Sequence, residues 1–212
     1  MKKLSSTATF LLTFYVLPLL AKPELLLTWP VVVLALFCTV LFLTQPALSV
    51  QESKDHKGTD GWTIWLILGV SGAGQILSLL DWAYLQGAPQ QLDAWTIGGL
   101  ACLTLGTAFR LWAIRTLDKA FAAVVQIKAG QQLVTSGPYR WLRHPSYTGA
   151  WIAMIGAALL MHSYLGLVIM GPCMLLVYMR RIAVEERALE AGFGEAYRNM
   201  KARTQRLVPC IW

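Results

Sequence analysis

Charge is scarce in this chain. Lys, Arg, Asp and Glu make up 14% of its 212 residues, and Asp and Glu together number only 11. Soluble domains carry about 25% charged residues, so an ordinary soluble domain is excluded. Cysteine is sparse as well. Cys38, Cys102, Cys173 and Cys210 lie far apart, the first three within apolar runs, and no C-x-x-C occurs. Neither disulfides nor a metal site is expected. The first apolar run lacks an A-x-A-like cleavage site, so Phe10–Leu20 reads as a retained span rather than a signal peptide. No strand-like segment precedes G-V-S-G-A-G (Gly69–Gly74), which sits in the middle of an apolar run. That excludes a phosphate-binding loop and leaves small residues against which another helix can pack.

Apolar residues fill the space that charge leaves, at 56% of the chain. They fall into segments of about Ser5–Leu20, Leu25–Leu43, Trp62–Leu85, Ala94–Leu117, Thr148–Met161 and Leu165–Met179. About 20 helical residues cross a bilayer core. The last two arms are shorter than that and meet at His162-Ser163-Tyr164. Gly171-Pro172 predicts a kink in the second arm. Gly192 and Gly194 end a polar helix that follows it. The pattern predicts an all-α polytopic membrane bundle of about six transmembrane segments, closing with a short helical hairpin and a cytoplasmic C-terminal helix. Residues 1–212 form one integral membrane domain, with 1–120 as transmembrane scaffold and 121–212 as the catalytic, cofactor-binding region.

The net charge is +7. Basic residues lie between the apolar spans, which points to cytoplasmic retention rather than to nucleic acid. With six spans and the N-terminus inside, 16 of the 18 lysines and arginines fall on the inner side, Lys22 alone lies outside, and Arg110 stays within a span. By the positive-inside rule both termini are cytoplasmic. The two polar clusters flanking the last hairpin then share the cytoplasmic face. Asp81 is expected to reach the outer interface, and Arg110 either snorkels inward or lines the site. Arg203 and Arg206 are expected to meet anionic lipid headgroups, and the apolar C-terminal end to dock.

Those polar clusters carry the chemistry. The first is L-V-T-S-G-P-Y-R-W-L-R-H-P-S-Y-T-G, Leu133–Gly149, and the second is R-R-I-A-V-E-E, Arg180–Glu186. Arg181 and Glu185 are four apart and share a helix face, which suits either a plain salt bridge or a site. His144 before Pro145 suits the cap of a helix, contact with a cofactor, or both. The pattern G-x-Y-x-x-x-R-H-P-x-Y-x-G followed by R-x-x-x-E-E closely resembles the isoprenylcysteine carboxyl methyltransferase family, which groups with the phospholipid methyltransferases. The resemblance covers about Val125–Trp212.

The resemblance implies S-adenosyl-L-methionine (SAM) as methyl donor and a lipophilic acceptor arriving from the bilayer. It places Gln126, Gln131, Leu133, Val134, Tyr139, His144, Pro145, Ser146, Tyr147 and Glu185 on the cofactor. Gln131 departs from the His or other basic residue often found there in the family. Arg181 falls on a residue that engages the acceptor's polar end, and Arg110 is a further candidate for acceptor contact. The residue types suit the donor: acids for its cations and hydroxyls, turn backbone for its carboxylate, aromatic walls for adenine. A carboxylate acceptor needs only alignment and Arg181. An amine or hydroxyl acceptor needs a base, for which His144 and Glu186 are the candidates. Arg181 and Glu186 are therefore the catalytic candidates. The function implied is methyl transfer to a small lipophilic or prenylated acceptor. The alternatives are phosphatidylethanolamine-type N-methylation and a non-catalytic membrane protein that kept the fold.

Overall fold

The computed structural model describes residues 2–44, 61–118 and 132–208. Within them the chain is helical, with one isolated parallel bridge between Leu142 and Gln205. Helix α1, Lys2–Leu11, runs on through a wide turn and a tight turn to Leu19. Helix α2 is Trp29–Thr44, and α3 is Gly61–Leu80, extended by a π-turn to Leu85. Helices α4, Ala94–Leu117, and α5, Pro145–Leu160, follow. Helix α6 is Tyr164–Phe193 and α7 is Glu195–Arg203.

The helices α3 (with its extension), α4 and α6 are long and apolar enough to cross a membrane; Ser6–Leu19, α2 and α5 are shorter apolar helices. Together they account for the six apolar segments read from the sequence, and the protein is an integral membrane protein. Two boundaries differ from the sequence reading. Helix α2 starts at Trp29 because Pro23–Leu25 forms a tight turn first. The second arm of the hairpin is not short: α6 runs for 30 residues and carries Arg180–Glu190 on the same helix. Pro172 is absorbed by a π-turn, Ile169–Cys173, so the helix passes through it without ending. We take α6 up to Met179 as membrane-crossing and the charged half beyond as lying outside the apolar layer. That half ends at Gly194, whose φ of +54 suits glycine, whereas Gly192 remains helical.

Helices α4 and α5 form the closest pair. A Cβ added to Gly106 would stand 2.5 Å from Ala153 N, and one on Gly149 would stand 2.5 Å from Arg110 N. Gly99 meets Leu160 N and Gly156 meets Leu103 N in the same way. Glycines at 99 and 106 thus face glycines at 149 and 156, and backbone packs directly on backbone. In α3, Gly72 abuts Phe14 and Gly74 abuts Met170, as the small-residue run suggests, while Gly69 faces open space.

Caps at one end fix the hairpin. Asp93 accepts from Thr96 N at 2.9 Å and starts α4. Ser163 accepts from Gly166 N at 2.8 Å and starts α6. Asp81 lies at the end of the bundle that holds the His162-Ser163-Tyr164 turn, but it is not open to water there. Asp81 is buried, and its carboxylate accepts from Ser163 Oγ at 2.7 Å and Leu165 N at 3.1 Å. It caps α6 from a neighbouring helix, which satisfies a charge that exposure otherwise would. His162 lies in the turn with φ +47 and pairs with Asp93 Oδ2 at 2.8 Å. Hydrogen bonding and the neighbouring His162 hold the Asp93 carboxyl down at about 2, led by the bond from Thr96 N. Lys22 donates to Ala83 O at 2.6 Å at this same end.

Candidate active site

The opposite end brings the two polar clusters together. Pro145 opens α5, and His144 is the residue before it, with a backbone oxygen that accepts from Tyr147 N and Thr148 N. Its side chain caps nothing. Tyr147 therefore projects from the first turn of α5, while Arg181 and Glu185 project from consecutive turns of α6. Tyr147 Oη donates to Glu185 Oε2 at 3.0 Å and accepts from Arg181 Nε at 3.3 Å. One phenol thus joins the R-H-P-x-Y motif to the R-x-x-x-E-E motif.

Arg181 is 2% exposed, and its Nη1 also donates to Thr63 Oγ1 at 3.1 Å. Thr63 comes from the first turn of α3, so the N-terminal part of the chain takes part in holding this guanidinium. Arg110 Nη1 donates to Ser146 O at 2.9 Å. It thereby reaches the opening turn of α5. Tyr139 stands close by in the turn Gly137–Arg140 and is buried. Burial, followed by the charge of Glu185, pushes its phenol up, while a hydrogen bond with Ser146 and the Arg110 guanidinium pull the other way. The phenol is neutral. Leu133 and Val134 pack against the apolar cluster of Ala113, Tyr139, Tyr197 and Met200. Gln126 and Gln131 lie outside the described residues.

Glu186 sits on the adjacent face of α6 and is 4% exposed. Its Oε1 accepts from Arg143 Nε at 2.8 Å and its Oε2 from Arg206 Nε at 3.1 Å. Burial opposes its ionisation, yet the neighbouring His144 imidazole and the hydrogen bonds from Arg143 and Arg206 outweigh that and hold the carboxyl well below the usual carboxylate range. Arg206 thus pairs inside the protein, where the sequence suggested lipid headgroups. Of the C-terminal end expected to dock, Leu207 is buried against Met174, Val177, Tyr178 and Ile182, and residues 209–212 lie outside the described residues. Sequence reasoning missed the structural roles of Thr63, Arg143 and Thr148. Arg143 is the first residue of R-H-P-x-Y and Thr148 follows it directly, but only tertiary contact reveals their partners.

Two buried polar atoms here have no hydrogen-bond partner among the described residues: His144 Nε2 and Tyr197 Oη. His144 Nε2 stands 3.5 Å from Glu186 Oε1, too far for a well-formed bond. Among the described residues, no cluster of His, Cys, Asp and Glu is fit to hold a metal ion. The arrangement can therefore offer an acid, neutral phenols, an open imidazole nitrogen and a fixed guanidinium to a polar ligand beside apolar walls.

The chain is similar to several known proteins. Residues 99–191 match the family model described as the isoprenylcysteine carboxyl methyltransferase (ICMT) family. A protein-S-isoprenylcysteine O-methyltransferase of Schizosaccharomyces pombe is 29% identical over 114 residues, which is 53% of this chain and 48% of that protein. The Saccharomyces cerevisiae enzyme of the same name is 34% identical over 55% of this chain and 49% of its own length. Arabidopsis thaliana protein-S-isoprenylcysteine O-methyltransferase B is 28% identical over 64% of this chain and 72% of its own. The match thus spans about half the length of the two yeast proteins. The structure of the eukaryotic intramembrane Ras methyltransferase ICMT superposes with a TM-score of 0.68 at 22% identity, covering 99% of this chain and 75% of that one; at that identity the likeness speaks for the fold. From Gly99 to Ala191 this chain carries the sequence pattern of the isoprenylcysteine carboxyl methyltransferase family, on the helical membrane fold of a solved ICMT.

Proposed function

We propose that this protein is a SAM-dependent methyltransferase that acts in the membrane on a lipophilic acceptor ending in a carboxylate, as the names of its relatives suggest. The observation that carries the reading is the Arg181–Tyr147–Glu185 bridge, which assembles both motifs into one partly buried site. The residues present fit the donor. Glu185 offers an acid to its cation or hydroxyls. Tyr139 and Tyr147 offer neutral phenols, Leu133 and Val134 an apolar wall, and His144 an unfilled ring nitrogen. Pro145 and Ser146 form the turn between them.

When bound, SAM supplies an electrophilic methyl group on its sulfonium. Arg181, fixed by Thr63 and Tyr147, is placed to orient an acceptor carboxylate, with Arg110 beside the same opening turn. An acceptor carboxylate held by these arginines would present an oxygen lone pair to that methyl group. No proton moves, so no general base is needed. Glu186 suits that economy: two arginines engage both of its oxygens, and it serves as an anchor rather than a base. Alignment and exclusion of water are then the protein's main contributions.

Residues 121–212 hold the cofactor in this reading, and the scaffold of residues 1–120 contributes Thr63 and Arg110. The site and both termini face the cytoplasm. The site end carries the arginines of α6, α7 and the 137–143 turn, and the far end Lys22, as the positive-inside rule requires. The test is incubation of membranes containing the protein with methyl-labelled SAM and an S-prenylated cysteine, then extraction and mild base. Base-labile methanol marks the ester. Base-stable label in phosphatidylethanolamine-derived lipid instead overturns the carboxylate reading.

A further inference from the structure

The short segment after α7, Thr204–Leu207, forms a strap across the site's first motif. Gln205 N donates to Trp141 O at 2.9 Å, Arg143 N to Gln205 O at 2.8 Å, and His144 N to Arg206 O at 3.1 Å. Thr148 Oγ1 donates to Leu207 O at 2.7 Å. Arg143 Nη1 donates to Thr204 O as well. The strap is thus bonded to both sides of His144, at the place where the chain enters α5. Glu186 locks this arrangement from α6, since Arg143 belongs to the motif and Arg206 to the strap, and both end on its carboxylate.

His144 is 3% exposed, and its Nε2 lacks a hydrogen-bond partner among the described residues. A buried ring nitrogen left open is costly unless something fills it. Its position is set by a backbone bond to the strap rather than by a side-chain cap. We propose that Glu186 is a positioning residue: through Arg143 and Arg206 it clamps the strap onto Trp141–Thr148, and the docked strap orients His144 and Tyr147 for the methyl donor. The inference rests on the cofactor reading above. Coupling between two binding events is reciprocal. If strap docking tightens donor binding, donor binding tightens the strap by the same factor.

The test uses the detergent-purified full chain with S-adenosylhomocysteine as probe, measured by titration calorimetry and by amide hydrogen exchange. The wild-type protein is expected to bind the probe, and binding to slow exchange at the Arg143, His144 and Gln205 amides. Glu186→Gln keeps the side chain's shape and removes its charge. It is expected to weaken binding about tenfold and to reduce the slowing. Adding Arg206→Gln to it costs little more, because both changes open the same clamp. Thr148→Val removes one strap bond without disturbing charge. It shows the same direction of effect if Glu186→Gln proves too unstable to purify. Bound probe with unchanged exchange at these amides overturns the proposal, and so does unaltered affinity in a folded Glu186→Gln or, failing that, Thr148→Val protein. Absence of binding by the wild-type chain instead overturns the cofactor reading itself.

Discussion

Tyr147 and Glu185 lie 38 residues apart in sequence and share a hydrogen bond of 3.0 Å. Both belong to helices that leave the same end of the bundle, and Arg181 approaches the same phenol. A charge-assisted bond of this kind is stronger than a neutral one. It orients the carboxylate that the proposed function assigns to the donor. Tyr147→Phe deletes the bridge and little else. Affinity for S-adenosylhomocysteine should fall about five- to twentyfold, the equivalent of about 1–2 kcal/mol. Calorimetry checks this, and an unchanged dissociation constant removes Tyr147 from the site.

Glu185 and Arg181 should separate by role. Glu185→Ala should abolish most affinity for S-adenosylhomocysteine. Arg181→Ala should leave more of that affinity and depress turnover of the acceptor. Arg181→Lys should not restore turnover, because a point charge does not reproduce a planar fork held by Thr63 and Tyr147. Binding constants and single-turnover rates measured side by side decide the matter. Equal loss of probe binding in the two alanine variants undoes the division of roles.

The parts of the site that follow from local spacing were legible in the sequence. The spacing of Arg181 and Glu185 gives them one helix face, the resemblance pointed to Tyr147, and the hairpin brings the three together. What the sequence did not reveal depends on contacts between distant segments. Asp81 reads as an interfacial acid until Ser163 and Leu165 are seen donating to it. Arg206 reads as a lipid contact until Glu186 is seen to accept from it. Glu186 looks like a candidate base because nothing in R-x-x-x-E-E shows that both its oxygens are engaged. The continuous α6 was hidden by Gly171-Pro172, a pair that ordinarily breaks a helix and is here absorbed by a π-turn. The glycines of α4 and α5 carried a signal that went unread. Gly99 and Gly106 are two helical turns apart, as are Gly149 and Gly156, so each pair lines one face.

Neighbouring glycines in α4 should respond in opposite directions to the same substitution. Gly99 faces Leu160 N, which a Cβ would approach to 2.5 Å, whereas Gly98 faces open space. Gly99→Ala forces two helix backbones apart, a strain on the order of 1–3 kcal/mol. Gly98→Ala meets no obstacle and gains about 0.5–1 kcal/mol from the better helix former. Melting temperatures in one detergent should fall for the first and hold or rise for the second. A similar fall in both would mean that α4 and α5 do not pack through this face.

Tyr197 supports a prediction about the ligand-free protein. The residue is 1% exposed in the cluster with Ala113, Tyr139 and Met200, and its Oη has no hydrogen-bond partner among the described residues. A hydroxyl withdrawn from water without a partner costs roughly 1–3 kcal/mol. Tyr197→Phe keeps the ring that fills the cluster and removes that cost. The ligand-free variant should therefore melt at or above the wild-type temperature, against the usual destabilising effect of a core substitution. Adding S-adenosylhomocysteine distinguishes two origins of the open hydroxyl. If the hydroxyl is only a core defect, the probe raises the melting temperature of both proteins equally. If it is reserved for a ligand atom, the variant gains less than wild type. A ligand-free variant that melts well below wild type would show that the hydroxyl already has a partner in the resting protein.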